Sequence, residues 1–99
     1  MNYESKFQGD LIKELKERFP GCLVIKSDPE FRNGIPDLFI FYRNKWAALE
    51  CKRASNSKHR PLQDYYVDLC NEMSFSRFIF PENKGEVLDD LERSFKSER

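Results

Sequence analysis

Asp37-Leu38-Phe39-Ile40-Phe41-Tyr42-Arg43-Asn44-Lys45-Trp46-Ala47-Ala48-Leu49-Glu50-Cys51-Lys52 is the stretch that decides how this chain folds. Asp37 to Tyr42 reads as one continuous apolar run opened by Asp37, the pattern of a strand buried in the middle of a sheet. Arg43-Asn44-Lys45 turns the chain, and Trp46 to Lys52 returns it as an antiparallel partner. Side chains alternate along a strand, so the turn decides which residues share a face. A two-residue Asn44-Lys45 turn sets Asp37 opposite Lys52 and Phe39 opposite Glu50. A three-residue turn sends Asp37 to the other face. The first register, or one of equal parity, is expected.

Upstream of the hairpin, Glu4 to Arg18 reads as a helix closed by Pro20-Gly21. Phe7, Leu11, Ile12, Leu15 and Phe19 recur at helical spacing. Leu23-Val24-Ile25 is a short apolar strand, and Ser27 to Gly34 a polar loop. Downstream, Ala54 to Arg60 is loop. Pro61 suits the first turn of a second helix, with Leu62, Tyr66, Leu69, Cys70 and Met73 as its apolar stripe. Phe78-Ile79-Phe80 forms a last strand ended by Pro81. Val87, Leu88, Leu91 and Phe95 mark a terminal helix. The order is α-β-β-β-α-β-α in an α/β fold. The helix between the third and fourth strands permits a crossover, so a mixed sheet of about four strands is expected. At 99 residues the chain reads as one domain over 1–99, without repeats or a low-complexity linker.

Positive and negative residues balance at 17 each, so global charge singles out no nucleic-acid or membrane partner. The local distribution does: between Arg43 and Arg60, six cations face one anion, Glu50. Arg43, Lys45, Arg53, Lys58, His59 and Arg60 are therefore the candidate phosphate contacts. Cys22, Cys51 and Cys70 are scattered without a CxxC pair, which reads as reduced, mostly buried thiols in a cytoplasmic protein rather than a zinc site. No apolar run is long enough to span a bilayer. Phe39, Phe41, Phe78 and Phe80 read as core; Tyr65 and Tyr66 fit either core or stacking surface.

Four residues stand out chemically. Glu4 falls in the helical sector of Gln8, Leu11 and Leu15, the apolar side. It either faces a cation there or lies in solvent at the helix N-terminus. Glu50 and Lys52 are two apart and project from one strand face, after an apolar approach that makes their charges costly. Asp37 is either a turn residue after Gly34 and Pro36 or a hard oxygen ligand for Mg²⁺ beside Glu50. In the second case Lys52 supplies positive charge to an attacking water or to the phosphate.

Pro36-Asp37 followed by Glu50-Cys51-Lys52, with a helix glutamate upstream, resembles the PD-(D/E)xK nuclease superfamily. The chain is most similar to the compact virus-type replication-repair nuclease domain, VRR-NUC, as found alone in phages. The likeness runs from Glu4-Ser5-Lys6-Phe7-Gln8 through Gly34-Ile35-Pro36-Asp37-Leu38 and Ala48-Leu49-Glu50-Cys51-Lys52 to Gln63-Asp64-Tyr65-Tyr66. It implies a restriction-endonuclease-like core and a Mg²⁺-dependent DNA endonuclease, with Mn²⁺ as a substitute. Asp37, Glu50 and the main-chain carbonyl of Cys51 would bind metal, Lys52 would assist the water, Glu4 would complete the acidic cluster, and Gln63 would approach from the second helix. Small relatives imply a homodimer acting on branched DNA such as a Holliday junction, inside a phage-infected or bacterial cell. A general nicking or flap nuclease is the alternative, and a non-catalytic DNA- or protein-binding module is the rival from another class. The adhesive surface expected for a dimer is the terminal helix around Leu88, Leu91 and Phe95, or an edge strand.

Overall fold

The hairpin closes on two residues, Arg43 and Asn44, between Leu38–Tyr42 and Lys45–Cys51. Arg43 takes φ 58°, the left-handed conformation that primed hairpin turns require at their first central position. The expected turn therefore shifts by one residue, and Lys45 opens the second strand instead of sitting in the turn. Tyr42 pairs with Lys45 and Leu38 with Leu49. Relative to the expected register the partners slip by two residues, which preserves the face of every side chain.

The computed structural model describes residues 3–28 and 30–97, with the side chains of Tyr3 and Glu4 outside the described set. The elements are α1 (Tyr3–Arg18), β1 (Leu23–Lys26), β2 (Leu38–Tyr42), β3 (Lys45–Cys51), α2 (Pro61–Met73), β4 (Ser76–Ile79) and α3 (Lys84–Lys96). Their order and α/β class are those expected from the sequence. The sheet runs β1-β2-β3-β4. Its first two pairings are antiparallel and β3–β4 is parallel, with α2 as the crossover that a parallel pair needs. Strand boundaries move by one or two residues: β1 extends to Lys26, β3 runs from Lys45 to Cys51 and β4 starts at Ser76. Asp37 precedes β2, and Phe80 lies beyond β4, where the Asn83 side chain accepts its N–H at 2.9 Å.

One face of the sheet carries the main core. Leu38, Ile40 and Tyr42 of β2 and Ala47, Leu49 and Cys51 of β3 meet Leu11 and Leu15 of α1, Phe19 just beyond its end, and Val87, Leu88, Leu91 and Phe95 of α3. Phe19, Tyr42 and Phe95 lock the three layers, with ring centroids 5.1–5.6 Å apart, within the range where tilted and edge contacts add to burial. Arg18 of α1 reaches Asp89 of α3 at 2.9 Å and Lys84 of α3 reaches Glu14 at 2.9 Å.

The other face is covered only in part. α2 packs against β3 and β4 through Val67 and Cys70. Among the described residues, no helix packs over β1 or the outer side of β2 on this face. Leu23, Ile25 and Phe41, which share this face through the pairs Leu23–Phe41 and Ile25–Phe39, are exposed. The expected core roles of four phenylalanines fail accordingly. Phe41 is 43% exposed, Phe39 is half-buried against Trp46, and Phe78 and Phe80 are half-buried. The stripe expected on α2 also rotates: Val67 and Cys70 turn inward, while Leu62 and Met73 are exposed. An apolar strand run signals burial on both faces only if a second layer exists, and here α2 is too short to cover four strands. Among the described residues, no helix is long and apolar enough to cross a membrane.

Candidate active site

Asp37 and Glu50 meet at the end of the hairpin opposite its turn. The pairing ends with Leu38 against Leu49; one step further sets Asp37 across from Glu50, and directly opposed residues share a face. That face is the one bearing α2. Asp37 is fixed from both sides of its peptide. Its carboxylate Oδ2 accepts the Cys51 N–H at 2.8 Å, and its carbonyl accepts the Ser27 N–H at 2.8 Å. The Ser27 hydroxyl donates to the Pro36 carbonyl at 2.6 Å. Just upstream, Gly34 takes φ 88° and packs on Leu62 of α2, where a Cβ would lie 2.5 Å from the Leu62 Cβ. Only glycine meets both demands.

Glu50 is 3% exposed and Lys52 8%. Burying such charges is costly unless they are paired or hydrogen-bonded. The α2 residue Gln63 joins them: its Nε2 donates to Glu50 Oε2 at 3.0 Å, and its Oε1 accepts from Lys52 Nζ at 2.7 Å. Only this orientation of the amide gives the carboxylate a donor and the ammonium an acceptor. Gln63 Oε1 also accepts the Arg60 N–H at 3.0 Å, half of a capping box with Pro61 at the first helical position. One side chain thus starts α2 and ties it to the end of β3. Lys52 Nζ makes a second bond, to the Lys58 carbonyl at 3.0 Å.

The segment that supplies this carbonyl is itself held. The His59 ring stacks on Phe78 with centroids 3.9 Å apart and planes 17° from parallel, and its Nδ1 lies 3.0 Å from Asp64 Oδ1. Phe78 is the β4 neighbour of Glu50. Ser55 donates through its N–H and its hydroxyl to Glu82 at 3.3 Å each. The Glu82 carboxyl is held below its ordinary value by its own backbone N–H first and by Ser55 next.

The candidate residues therefore divide. Asp37, Glu50, Cys51, Lys52 and Gln63 converge. Arg53, Lys58, His59 and Arg60 lie on the exposed loop beside them. Arg43 and Lys45 sit at the far tip of the hairpin, about 17 Å away at the rise of an extended strand. There Arg43 covers the Tyr42 ring at 4.9 Å, and Lys45 Nζ bonds the Ser94 carbonyl at 3.2 Å and the Ser97 hydroxyl at 3.0 Å, closing the end of α3. The basic run is continuous in sequence but not in space. Glu4 is in the first turn of α1, in line with buried Leu11 and Leu15; its side chain lies outside the described residues. That end of α1 borders the loop after Lys52, since Lys6, Phe7 and Asp10 line one depression with Arg53, Ala54 and Pro81.

Among the described residues, no three His, Cys, Asp or Glu side chains cluster as a metal site. The donors that do converge are the carboxylates of Asp37 and Glu50 and the backbone of Cys51. Such a set is all hard oxygen, which suits Mg²⁺ or Mn²⁺, and Mg²⁺ needs only one or two carboxylates because it keeps several waters. Sequence reading missed Asp64 and Phe78 as partners of His59, and missed the cap made by Gln63. The last was visible in Arg60-Pro61-Leu62-Gln63, where proline at the first helical position and glutamine at the third mark a helix start.

No protein-family model matches the sequence, and no curated protein matches it. A solved structure described as a VRR_NUC domain does: it is 30% identical, covers 85% of this chain and 92% of its own, and superposes with a TM-score of 0.60. Likeness at that identity and extent, with the mixed sheet bringing Asp37, Glu50 and Lys52 to one strand end, means that the chain belongs to the VRR-NUC domain family and carries its nuclease fold.

Proposed function

We propose that this domain is a Mg²⁺-dependent endodeoxyribonuclease that hydrolyses DNA phosphodiesters. The observation that carries the reading is the buried Glu50–Gln63–Lys52 chain facing Asp37. An ionised carboxylate and ammonium, bridged rather than replaced by apolar groups, lower stability relative to a packed strand end, so their presence points to use. Asp37, Glu50 and the Cys51 carbonyl would hold the metal, which when bound supplies Lewis-acid stabilisation of charge developing on the phosphate. Lys52, aimed by Gln63 and the Lys58 carbonyl, places positive charge toward the attacking water or the phosphate oxygens. The Cys51 N–H bond to Asp37 fixes that carboxylate's direction. Arg53, Lys58 and Arg60, on the exposed loop beside the site, would meet flanking phosphates.

The finer reading is a homodimer that acts on branched DNA, a four-way junction first. The uncovered apolar face of β1 and β2, with Leu23, Ile25 and Phe41 exposed, supports a second copy at this sheet edge. The alternative surface on α3 does not, because Leu88, Leu91 and Phe95 are used in the core. A two-fold dimer would present two sites to a two-fold junction.

Cleavage of a panel of labelled plasmid, linear duplex, flap and four-way-junction DNA with Mg²⁺ or Mn²⁺ tests the proposal. Junction cleavage faster than linear cleavage is expected. Equal rates would favour a general nicking nuclease, and flap cleavage alone a flap nuclease. DNA binding without cleavage under any metal would leave a non-catalytic module.

A further inference from the structure

We propose that Phe31 and Tyr65 form a stacking site for an unpaired nucleobase, beside the cleavage site. Phe31 is 82% exposed and Tyr65 56%. Exposed aromatics are ordinary on loose loops, but this loop is not loose. Asp28 accepts three backbone N–H groups: those of Phe31 at 3.0 Å and Arg32 at 3.3 Å on its carbonyl, and that of Glu30 at 2.9 Å on its carboxylate. Ile35 N–H returns to the Arg32 carbonyl at 3.4 Å. The loop is docked on the first two turns of α2, through Gly34 against Leu62 and through Arg32 to the Tyr66 hydroxyl at 3.3 Å. Tyr66 in turn meets Tyr65 edge-on, with centroids 5.0 Å apart. The chain thus holds large apolar rings in water on a fastened support.

The position of the support identifies the occupant. The loop runs directly into Asp37, and the helix turn on which it rests carries Gln63, the partner of Glu50 and Lys52. Phe31 lies six residues ahead of Asp37 and Tyr65 two residues after Gln63, so a strand that spans the site and the exposed side of α2 is within reach of these rings. The segment itself has two acids, Asp28 and Glu30, against one guanidinium, Arg32, so it is not built to take phosphate. It is built to take a flat apolar face. In a linear duplex every base face is covered by its neighbours. At a branch or flap, bases are unstacked, and stacking on an aromatic side chain contributes about 1–3 kcal/mol per base. The rings would therefore favour DNA with unpaired bases over plain duplex. The inference rests on the nuclease reading and deepens it by naming the feature of the substrate that is recognised.

The test is binding without metal, so that cleavage plays no part. Full-length protein is titrated into a flap carrying 2-aminopurine at the unpaired position, and into linear duplex. Stacking is expected to quench the probe. Phe31→Ala should weaken flap binding by about 5- to 100-fold, leave duplex binding within about twofold, and abolish the quenching. Phe31→Trp should restore both. Equal loss on flap and duplex, or quenching kept by Phe31→Ala together with Tyr65→Ala, would overturn the proposal. So would a change from dimer to monomer by light scattering in Phe31→Ala, which would assign the rings to a contact between copies. Wild-type protein that binds no DNA at all would overturn the nuclease reading as well, whereas wild-type binding that Phe31→Ala leaves unchanged would remove the base site alone.

Discussion

Replacing Gln63 by alanine removes three hydrogen bonds at once: to Glu50, from Lys52 and from the Arg60 N–H. Two of the partners are ionised and almost fully buried. Hydrogen bonds to charged groups contribute about 1.5–3 kcal/mol each, and a helix cap about 0.5–2 kcal/mol. Gln63 is only half-buried, so water can enter and replace part of the loss. A net cost of about 2–4 kcal/mol follows, or roughly 10–30 °C in Tm for a domain of this size. Thermal unfolding followed by circular dichroism in EDTA measures it without interference from metal. Gln63→Glu supplies a second variant: it keeps the acceptor for Lys52 and Arg60 but removes the donor to Glu50, so it should melt below wild type. An alanine variant that melts within about 2 °C of wild type would refute the bridge, and with it the account of how Lys52 is aimed.

Four further outcomes are expected. Asp37→Ala and Glu50→Ala should each abolish metal-dependent cleavage while the far-ultraviolet circular dichroism spectrum stays native; wild-type turnover by purified Glu50→Ala would end the metal assignment. His59→Ala should lower kcat by about 10-fold, equivalent to about 1.4 kcal/mol, with little change in KM, because the ring acts through the Lys58 carbonyl; His59→Phe, which keeps the stack on Phe78, should recover most of it, and a pure KM effect would return His59 to DNA contact. The Glu82 carboxyl is lowered in the folded state, so its tether to Ser55 holds above the ordinary value of 4.5 and is lost as pH falls through the lower folded one; protection of the Ser55 amide from hydrogen exchange should fall in that window, and protection unaltered by full protonation of the carboxyl would count against it. Ile25→Lys on the uncovered sheet face should shift the mass in light scattering from dimer to monomer without lowering Tm; a monomeric wild type would discard the β1 surface.

The elements and their order were legible because each carries its own period: Leu11, Leu15 and Phe19 at helical spacing, Leu38 to Tyr42 as a strand, and Pro61 at a helix start. The face shared by Asp37, Glu50 and Lys52 was also legible, since any even slip of the hairpin preserves it. The register itself was not. It depended on Arg43 adopting a positive φ, which its residue type does not advertise. Burial on the α2 side was illegible for a different reason. Phe41 has the chemistry of a core residue, but whether a second layer reaches it depends on the length and position of α2, a tertiary fact. The basic run misled in the same way: Arg43 and Lys45 are neighbours of Arg53 in sequence, and the strand between carries them to the opposite end of the molecule. Gln63 could be placed near the site by family likeness, while its bonds to both charges required coordinates.

Gly34 divides the loop ahead of Asp37 into two zones of unequal evolutionary latitude. At Gly21, which also has positive φ, a side chain would meet open space, and substitution there is limited by backbone preference alone, a matter of about 1 kcal/mol. At Gly34 a side chain would also collide with Leu62, lifting the loop off α2 and withdrawing Asp37 from Glu50. The tip at residues 30–33 is exposed and lies on the far side of that fixed point. Substitution at the tip is therefore tolerated where substitution at Gly34 is not, and the acid stays in register.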